Sequence, residues 1–259
     1  MILQKQMIES VRKLSQQHEK ISAVLMYGSF IKDEGDQFSD IEFYIYYRGN
    51  EMPDKISFIS QIASVSLFFT NEFGTDVAIF DNLIRGEFHF HPVSDMESIK
   101  TWQGVISFEY RDKMNLIDKD GTLTEILHSI PPVRPQRNIV ENKESLAQNL
   151  INNLLFERNL ILRKEYAHAH QQFWLIQRYI LWLIRLHIEK DNHWESPTKK
   201  LEEDIPYEWY LKYLKCIPSI KAESLQESLL SALEISDLLF SKLNIPEHIH
   251  GVLRKINLT

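Results

Sequence analysis

The sequence predicts an α+β chain: a mixed β-sheet flanked by helices over residues 1–130, then a helical bundle over 136–259. Three observations predict it. Residues 41–47 and 86–90 alternate between two faces with period two, as half-buried strands do. Beyond residue 136 the apolar residues recur almost wholly at helical spacing. Between the two regimes stands Ile130-Pro131-Pro132-Val133-Arg134-Pro135. Proline lacks an N–H and restricts its predecessor, so this stretch reads as a stiff hinge.

The elements follow in chain order. Leu3, Met7, Ile8, Val11 and Leu14 form one stripe, which predicts a helix over 3–17 packed on a sheet. Residues 21–27 are a short apolar run, the first strand. Residues 28–39 are loop, with room for a helical turn near 29–32. The second strand, 41–47, puts Asp40, Glu42, Tyr44 and Tyr46 on one face and Ile41, Phe43 and Ile45 on the other. The apolar face is expected to pack on helices and the carboxylate face to open to a cleft. Residues 53–63 read as a helix. The runs 65–70 and 75–80 flank Asn71-Glu72-Phe73-Gly74, a hairpin signal. A strand over 86–90 ends at Pro92, a short helix over 94–100 takes Ser94 as its cap, and 114–117 and 123–130 read as strand and helix. Helices are expected at 138–163, 165–190, 207–215, 224–243 and 246–256, and short connections favour antiparallel packing.

Composition narrows the function. The 259 residues allow one large domain or two modest ones. Cys216 is the single cysteine, so no internal disulfide forms. That fits a reducing cytoplasm, with Cys216 read as a small buried hydrophobe. The N-terminus carries no apolar signal core. The most apolar helix is interrupted by Gln177, Arg178 and Arg185, so no membrane span is expected. Residues 1–135 hold 13 Lys/Arg and 20 Asp/Glu, a net of −7, while residues 136–259 hold 16 of each. No basic stripe exists for a polynucleotide backbone, which argues against nucleic acid and for a small acceptor.

The chemistry concentrates at Gly28-Ser29 and Asp40-Ile41-Glu42. Asp40 and Glu42 point the same way from a strand and repel one another unless a cation sits between them. Oxygen-only ligands at this spacing suit Mg²⁺, completed by water and substrate phosphates. Gly28 lets backbone approach a phosphate, and Ser29 offers an N–H and a hydroxyl to it. Such an acidic half should bind a triphosphate only with metal. Two-metal phosphoryl chemistry usually needs a third carboxylate, for which Glu87, Asp76 and Asp81 compete. Gly86 leaves room for a ligand beside Glu87. Lys32 and Arg85 are candidates to meet the triphosphate's charge, and a surface salt bridge between Arg85 and Glu87 is the bland alternative. His89 and His91 share a face but lack a third ligand at zinc spacing, so His89 is read as lining the cleft. Phe173, Trp174, Tyr179 and Trp182 sit at helical spacing and read mainly as bundle core. Glu202-Glu203-Asp204 reads as a solvated turn.

Gly28-Ser29-x10-Asp40-x-Glu42 resembles the signature of the DNA polymerase β-like nucleotidyltransferase superfamily. The longer stretches MYGSFIKDEGDQFSDIEFYI and VAIFDNLIRGEFHF resemble the lincosamide nucleotidyltransferases of the LinB type. The resemblance places the third carboxylate in Arg85-Gly86-Glu87-Phe88, hence at Glu87, with Asp76 as runner-up. It implies a catalytic domain over 1–130 and a substrate-binding or dimerising helical domain over 136–259. It further implies Mg²⁺-dependent transfer of AMP from ATP, or of another nucleotide from its NTP, to a hydroxyl of a lincosamide such as lincomycin or clindamycin, an inactivated antibiotic, and compatibility with a homodimer. In that reading Asp40, Glu42 and Glu87 hold metal, Glu87 is also general base, and Gly28, Ser29, Lys32 and Arg85 bind nucleotide. An aminoglycoside acceptor is the alternative; a protein-modifying antitoxin or a silent binding protein is the reading from another class.

Overall fold

The structure, a computed structural model, describes residues 2–49, 51, 54–103, 106–132, 139–190 and 193–256, with backbone only over 139–142. Pro53, the hinge residues Val133, Arg134 and Pro135, and Asn138 lie outside the described residues. The chain forms two compact units, Met1–Gln136 and Arg137–Thr259.

In the first unit, α1 (Leu3–Gln17) precedes β1 (Ile21–Met26) and β2 (Ile41–Tyr47), with a 3-10 turn at Phe30–Lys32 between the strands. Then come α2 (Lys55–Ser60), β3 (Val65–Thr70), β4 (Asp76–Phe80) and β5 (Arg85–Pro92). A 3-10 helix at Val93–Trp102, α3 (Arg111–Met114), β6 (Asn115–Asp118) and α4 (Thr122–Ser129) complete it. The strands form one sheet in the order β3-β4-β5-β2-β1-β6. It is mixed: β2 and β5 run parallel and the other neighbours antiparallel.

Alternation sorts the side chains into two layers. Ile41, Phe43, Ile45, Ala78, Phe80 and Phe88 face Met7 and Val11 of α1 and Phe58 and Ile59 of α2. The opposite face is covered too, contrary to a simple division into packed and open faces. Ala23, Leu25 and Tyr46 pack on Met96 and Ile99 of the longer 3-10 helix, Met114 of α3 and Leu123 and Ile126 of α4. Asp40, Glu42, Arg85 and Glu87 lie on this face beyond that cover, half-buried.

Two local readings need correction. Ser94 does not cap the helix after Pro92; its hydroxyl bonds Asp95, and the helix is 3-10 from Val93 to Trp102. The helix after the second strand begins at Lys55, capped by Asp54, whose side chain accepts from Ser57 N–H at 3.1 Å.

The second unit is helical: α5 (Ile139–Leu162), α6 (Tyr166–His187), α7 (Leu201–Asp204), α8 (Tyr207–Leu214), α9 (Ala222–Lys242) and α10 (Glu247–Leu253). Its core joins Leu150, Leu154, Phe173, Ile180, Leu229 and Leu239, with Cys216 buried among them. Trp174 is exposed, so the aromatic stripe is only partly core. The acidic run expected as a solvated turn forms the single turn α7, with Glu202 and Glu203 exposed as expected, while Asp204 bonds the fully buried Arg185 at 2.9 Å. Arg185 also donates to the carbonyls of Pro197 and Lys199, which explains a charge inside an apolar helix. Among the described residues, no helix is long and apolar enough to cross a membrane.

Glu157 of α5 is fully buried, and among the described residues its carboxylate oxygens have no hydrogen-bond partner. Burial pushes its pKa up to about 8. The unfolded chain gives up this proton near the ordinary carboxylate pKa, while the folded chain keeps it up to about pH 8. Stability therefore falls as pH rises through that window, by about 1.4 kcal/mol for each unit separating the two pKa values. Glu157→Gln should melt with the native chain at pH 5 and above it at pH 8. Parallel melting curves at both pH values would contradict the burial argument.

Candidate active site

Register builds the site. Parallel pairing of β2 with β5 sets Glu42 beside Glu87, and Ile41 beside Gly86. Asp40 and Arg85 precede those pairs, so Asp40, Glu42, Arg85 and Glu87 share one face. Tyr27 follows β1, and its N–H donates to the Glu42 carbonyl at 3.1 Å. Tyr27, Glu42 and Glu87 thus form one row across three strands.

Gly28 closes the end of β1 with φ +82°, a conformation that favours glycine. A Cβ on it would fall inside the Glu42 carboxylate, 2.5 Å from Glu42 Cδ. The missing side chain is therefore what lets Glu42 lie against the backbone of the Gly-Ser turn. Gly28→Ala should displace Glu42 and cost about 1–2 kcal/mol through the left-handed backbone. Turnover should fall at least about 100-fold while the far-UV spectrum is retained. Near-native turnover would separate Gly28 from the site.

Arg85 ties the carboxylates together. Its guanidinium donates to Asp40 Oδ2 at 2.6 Å and also to Glu87 Oε1. Glu87 Oε2 accepts from the Tyr27 hydroxyl at 3.0 Å, and His89 Nε2 lies 3.0 Å from that hydroxyl. The hydroxyl has one proton, and an ionised carboxylate can only accept it. In the tautomer with its hydrogen on Nε2, His89 donates to the Tyr27 oxygen. Burial, followed by the charges of Glu87 and Glu42, raises the Tyr27 pKa, so it stays a phenol. Burial lowers the His89 pKa, while the Glu87 charge opposes that shift. The ring stacks on Tyr44 with centroids 4.2 Å apart.

The competing carboxylates lie elsewhere. Asp76 pairs with Phe88 and so belongs to the opposite face. It is buried there, 2.5 Å from Lys55 Nζ and 2.8 Å from Thr70 Oγ1. Asp81 accepts from Ser66 Oγ at 2.5 Å beyond β4. Ser29 begins the 3-10 turn, and Lys32 ends it exposed to solvent. The structure thus brings Gly28, Asp40, Glu42, Arg85 and Glu87 together, with Ser29 adjoining, and leaves Lys32 on the rim. Tyr27 was missed by sequence reasoning. Its signal was present: it continues the alternation of Ala23 and Leu25 onto the carboxylate face.

Among the described residues, no group of three or more His, Cys, Asp or Glu is arranged to hold a metal ion. The donor chemistry nonetheless fits a hard cation. Asp40, Glu42 and Glu87 present only oxygen, and the Arg85 guanidinium already serves as the positive charge between Asp40 and Glu87.

Comparison with known proteins gives two family matches. The model for the polymerase beta nucleotidyltransferase domain matches residues 9–90. The model for the lincosamide nucleotidyltransferase-like C-terminal domain matches residues 140–256. No curated protein matches the chain. Among solved structures, it is similar to an aminoglycoside 6-adenyltransferase from Bacillus subtilis, at 12% identity over 96% of each chain, TM-score 0.41. It is also similar to a nucleotidyltransferase-like protein from Exiguobacterium sibiricum 255-15, at 12% identity over 92% of this chain and 78% of that one, TM-score 0.35.

Proposed function

We propose, from the premise that this chain is a LinB-like nucleotidyltransferase, that it transfers AMP from Mg²⁺-bound ATP to a hydroxyl of a lincosamide. The observation that carries the chemistry is the placing of Glu42 and Glu87 side by side with Asp40 on one face. Bound Mg²⁺ supplies positive charge that neutralises the triphosphate and the developing leaving group. Asp40, Glu42 and Glu87 are the residues that would hold it.

The chain's own groups do the rest. Gly28 seats Glu42 against the turn, and Ser29 donates to the β- and γ-phosphates. Glu87 removes the acceptor hydroxyl proton, and Tyr27 orients the carboxylate for it. The acceptor oxygen bonds to the α-phosphorus as the bond to the bridging oxygen breaks, and pyrophosphate leaves with the electron pair. Arg85 balances the carboxylates before nucleotide arrives and offers its charge to the phosphates afterwards. Lys32 meets the outer phosphates from the rim.

An aminoglycoside is the second reading, and the net charge of −7 over residues 1–135 favours it, since a polycation seeks carboxylates. A lincosamide carries one basic amine and an apolar portion. Incubation with ATP, Mg²⁺ and either lincomycin or kanamycin, followed by mass spectrometry, separates the two. Mass gain on lincomycin supports the proposal, and gain on kanamycin alone transfers it to the second reading. With no small-molecule adduct, a protein acceptor becomes the better account.

A further inference from the structure

The aromatic stripe of α6 holds a cation that no carboxylate meets. Arg178 is half-buried, its guanidinium carbon 4.4 Å from the centroid of the Trp182 ring and 5.7 Å from that of Trp174. Among the described residues it has no carboxylate or carbonyl partner. A cation–π contact draws on the charge and leaves the guanidinium N–H donors unused. A cavity of about 320 Å³ opens beside it, at the small end of ligand pockets, which span about 300–1,000 Å³. Trp174, Gln177 and Arg178 border it from α6, residues 195–198 from the following loop, and Tyr213 from α8.

The walls are tied in place. Trp182 Nε1 donates to the Trp194 carbonyl at 2.8 Å, and the two rings stack with centroids 5.7 Å apart. The buried Arg185 holds the carbonyls of Pro197 and Lys199, and Gln177 Nε2 donates to the Cys216 carbonyl at 2.9 Å. Tyr213 is the second open group. It is only 5% exposed, it borders the cavity, and among the described residues its hydroxyl has no hydrogen-bond partner. Burial pushes its pKa up to about 12, so it keeps its proton and can donate. Buried hydroxyls are ordinarily hydrogen-bonded, and the partner this one lacks has to enter through the cavity.

These donors select the ligand. A guanidinium edge and a phenol both offer hydrogen to an anionic oxygen, and the guanidinium fork matches a carboxylate. One cation balances one negative charge. Glu195, on the loop wall, brings a carboxylate that a dianionic phosphate would meet. Trp174, 51% exposed, offers a ring face to a flat apolar body. We propose that this cavity binds a small aromatic monocarboxylate, its carboxylate on Arg178 and Tyr213 and its ring against Trp174. The site belongs wholly to the helical unit and is independent of the nucleotidyl-transfer reading.

Calorimetry on the full chain tests this, with benzoate and 2-naphthoate as probes and their uncharged amides and inorganic phosphate as controls. At least one of the two carboxylates should bind with a Kd of about 1 mM or tighter, and its amide about 10-fold more weakly. Arg178→Gln should weaken that carboxylate about 10-fold or more. Tyr213→Phe keeps the ring in the core and should weaken it about three-fold or more. Thermal melting shows whether each variant is folded, and either folded variant decides the matter. No carboxylate binding below about 10 mM overturns the proposal. So does native affinity in a folded variant, or phosphate bound more tightly than both carboxylates.

Discussion

Asp40→Asn should lower turnover about 1,000-fold and leave the fold in place. Asp40 stands just before β2, with its side chain 39% exposed, and its direct partner is the Arg85 guanidinium at 2.6 Å. A half-exposed pair of this kind contributes no more than about 1 kcal/mol to stability. The melting temperature should move by only a few degrees. The functional loss is of another size, because an amide keeps the shape and removes a full negative charge from the place where the metal-bound triphosphate is proposed to sit. Steady-state rates with saturating ATP and lincosamide, alongside thermal melting, measure both quantities. An Asp40→Asn enzyme that retained a tenth or more of its turnover would remove Asp40 from the metal site.

Glu87→Gln should show a different pattern. A general base contributes about 100- to 10,000-fold to the rate, and glutamine cannot take the acceptor proton. The Tyr27 hydroxyl now bonded to Glu87 Oε2 can still donate to an amide oxygen, so the side chain should keep its place. The expected result is a loss in kcat within that range, with ATP affinity changed only a few-fold. Weakened ATP binding with kcat preserved would reassign Glu87 to nucleotide binding. The contrast between the variants is informative because the two carboxylates share Arg85. If that ion pair were their whole role, Asp40→Asn and Glu87→Gln would have similar small effects.

Much of the fold was legible because the determining signals are local. Strand alternation put Asp40 and Glu42 on one face from β2 alone, and the stripe of Met7 and Val11 marked α1. The remainder depends on which strands become neighbours. Asp76 was the runner-up to Glu87 in sequence, and its pairing with Phe88 puts it on the opposite face. The Arg85–Glu87 pair was one of two readings open in sequence, and the structure adds Asp40 as a second partner of the same guanidinium. In α7 only Asp204 departs from its reading, since Glu202 and Glu203 are exposed. Glu202-Glu203-Asp204 looks solvated in sequence, and only the fold brings the buried Arg185 to Asp204.

The central claim is that this sheet face carries out metal-dependent nucleotidyl transfer to an acceptor hydroxyl. Its most direct test counts pyrophosphate and drug–AMP adduct in the same reaction of the purified chain with ATP, Mg²⁺ and lincomycin, with and without excess EDTA. The account predicts one pyrophosphate for each adduct, and neither product once EDTA removes the metal. Adduct formation undiminished by EDTA, or pyrophosphate released without adduct, would contradict it.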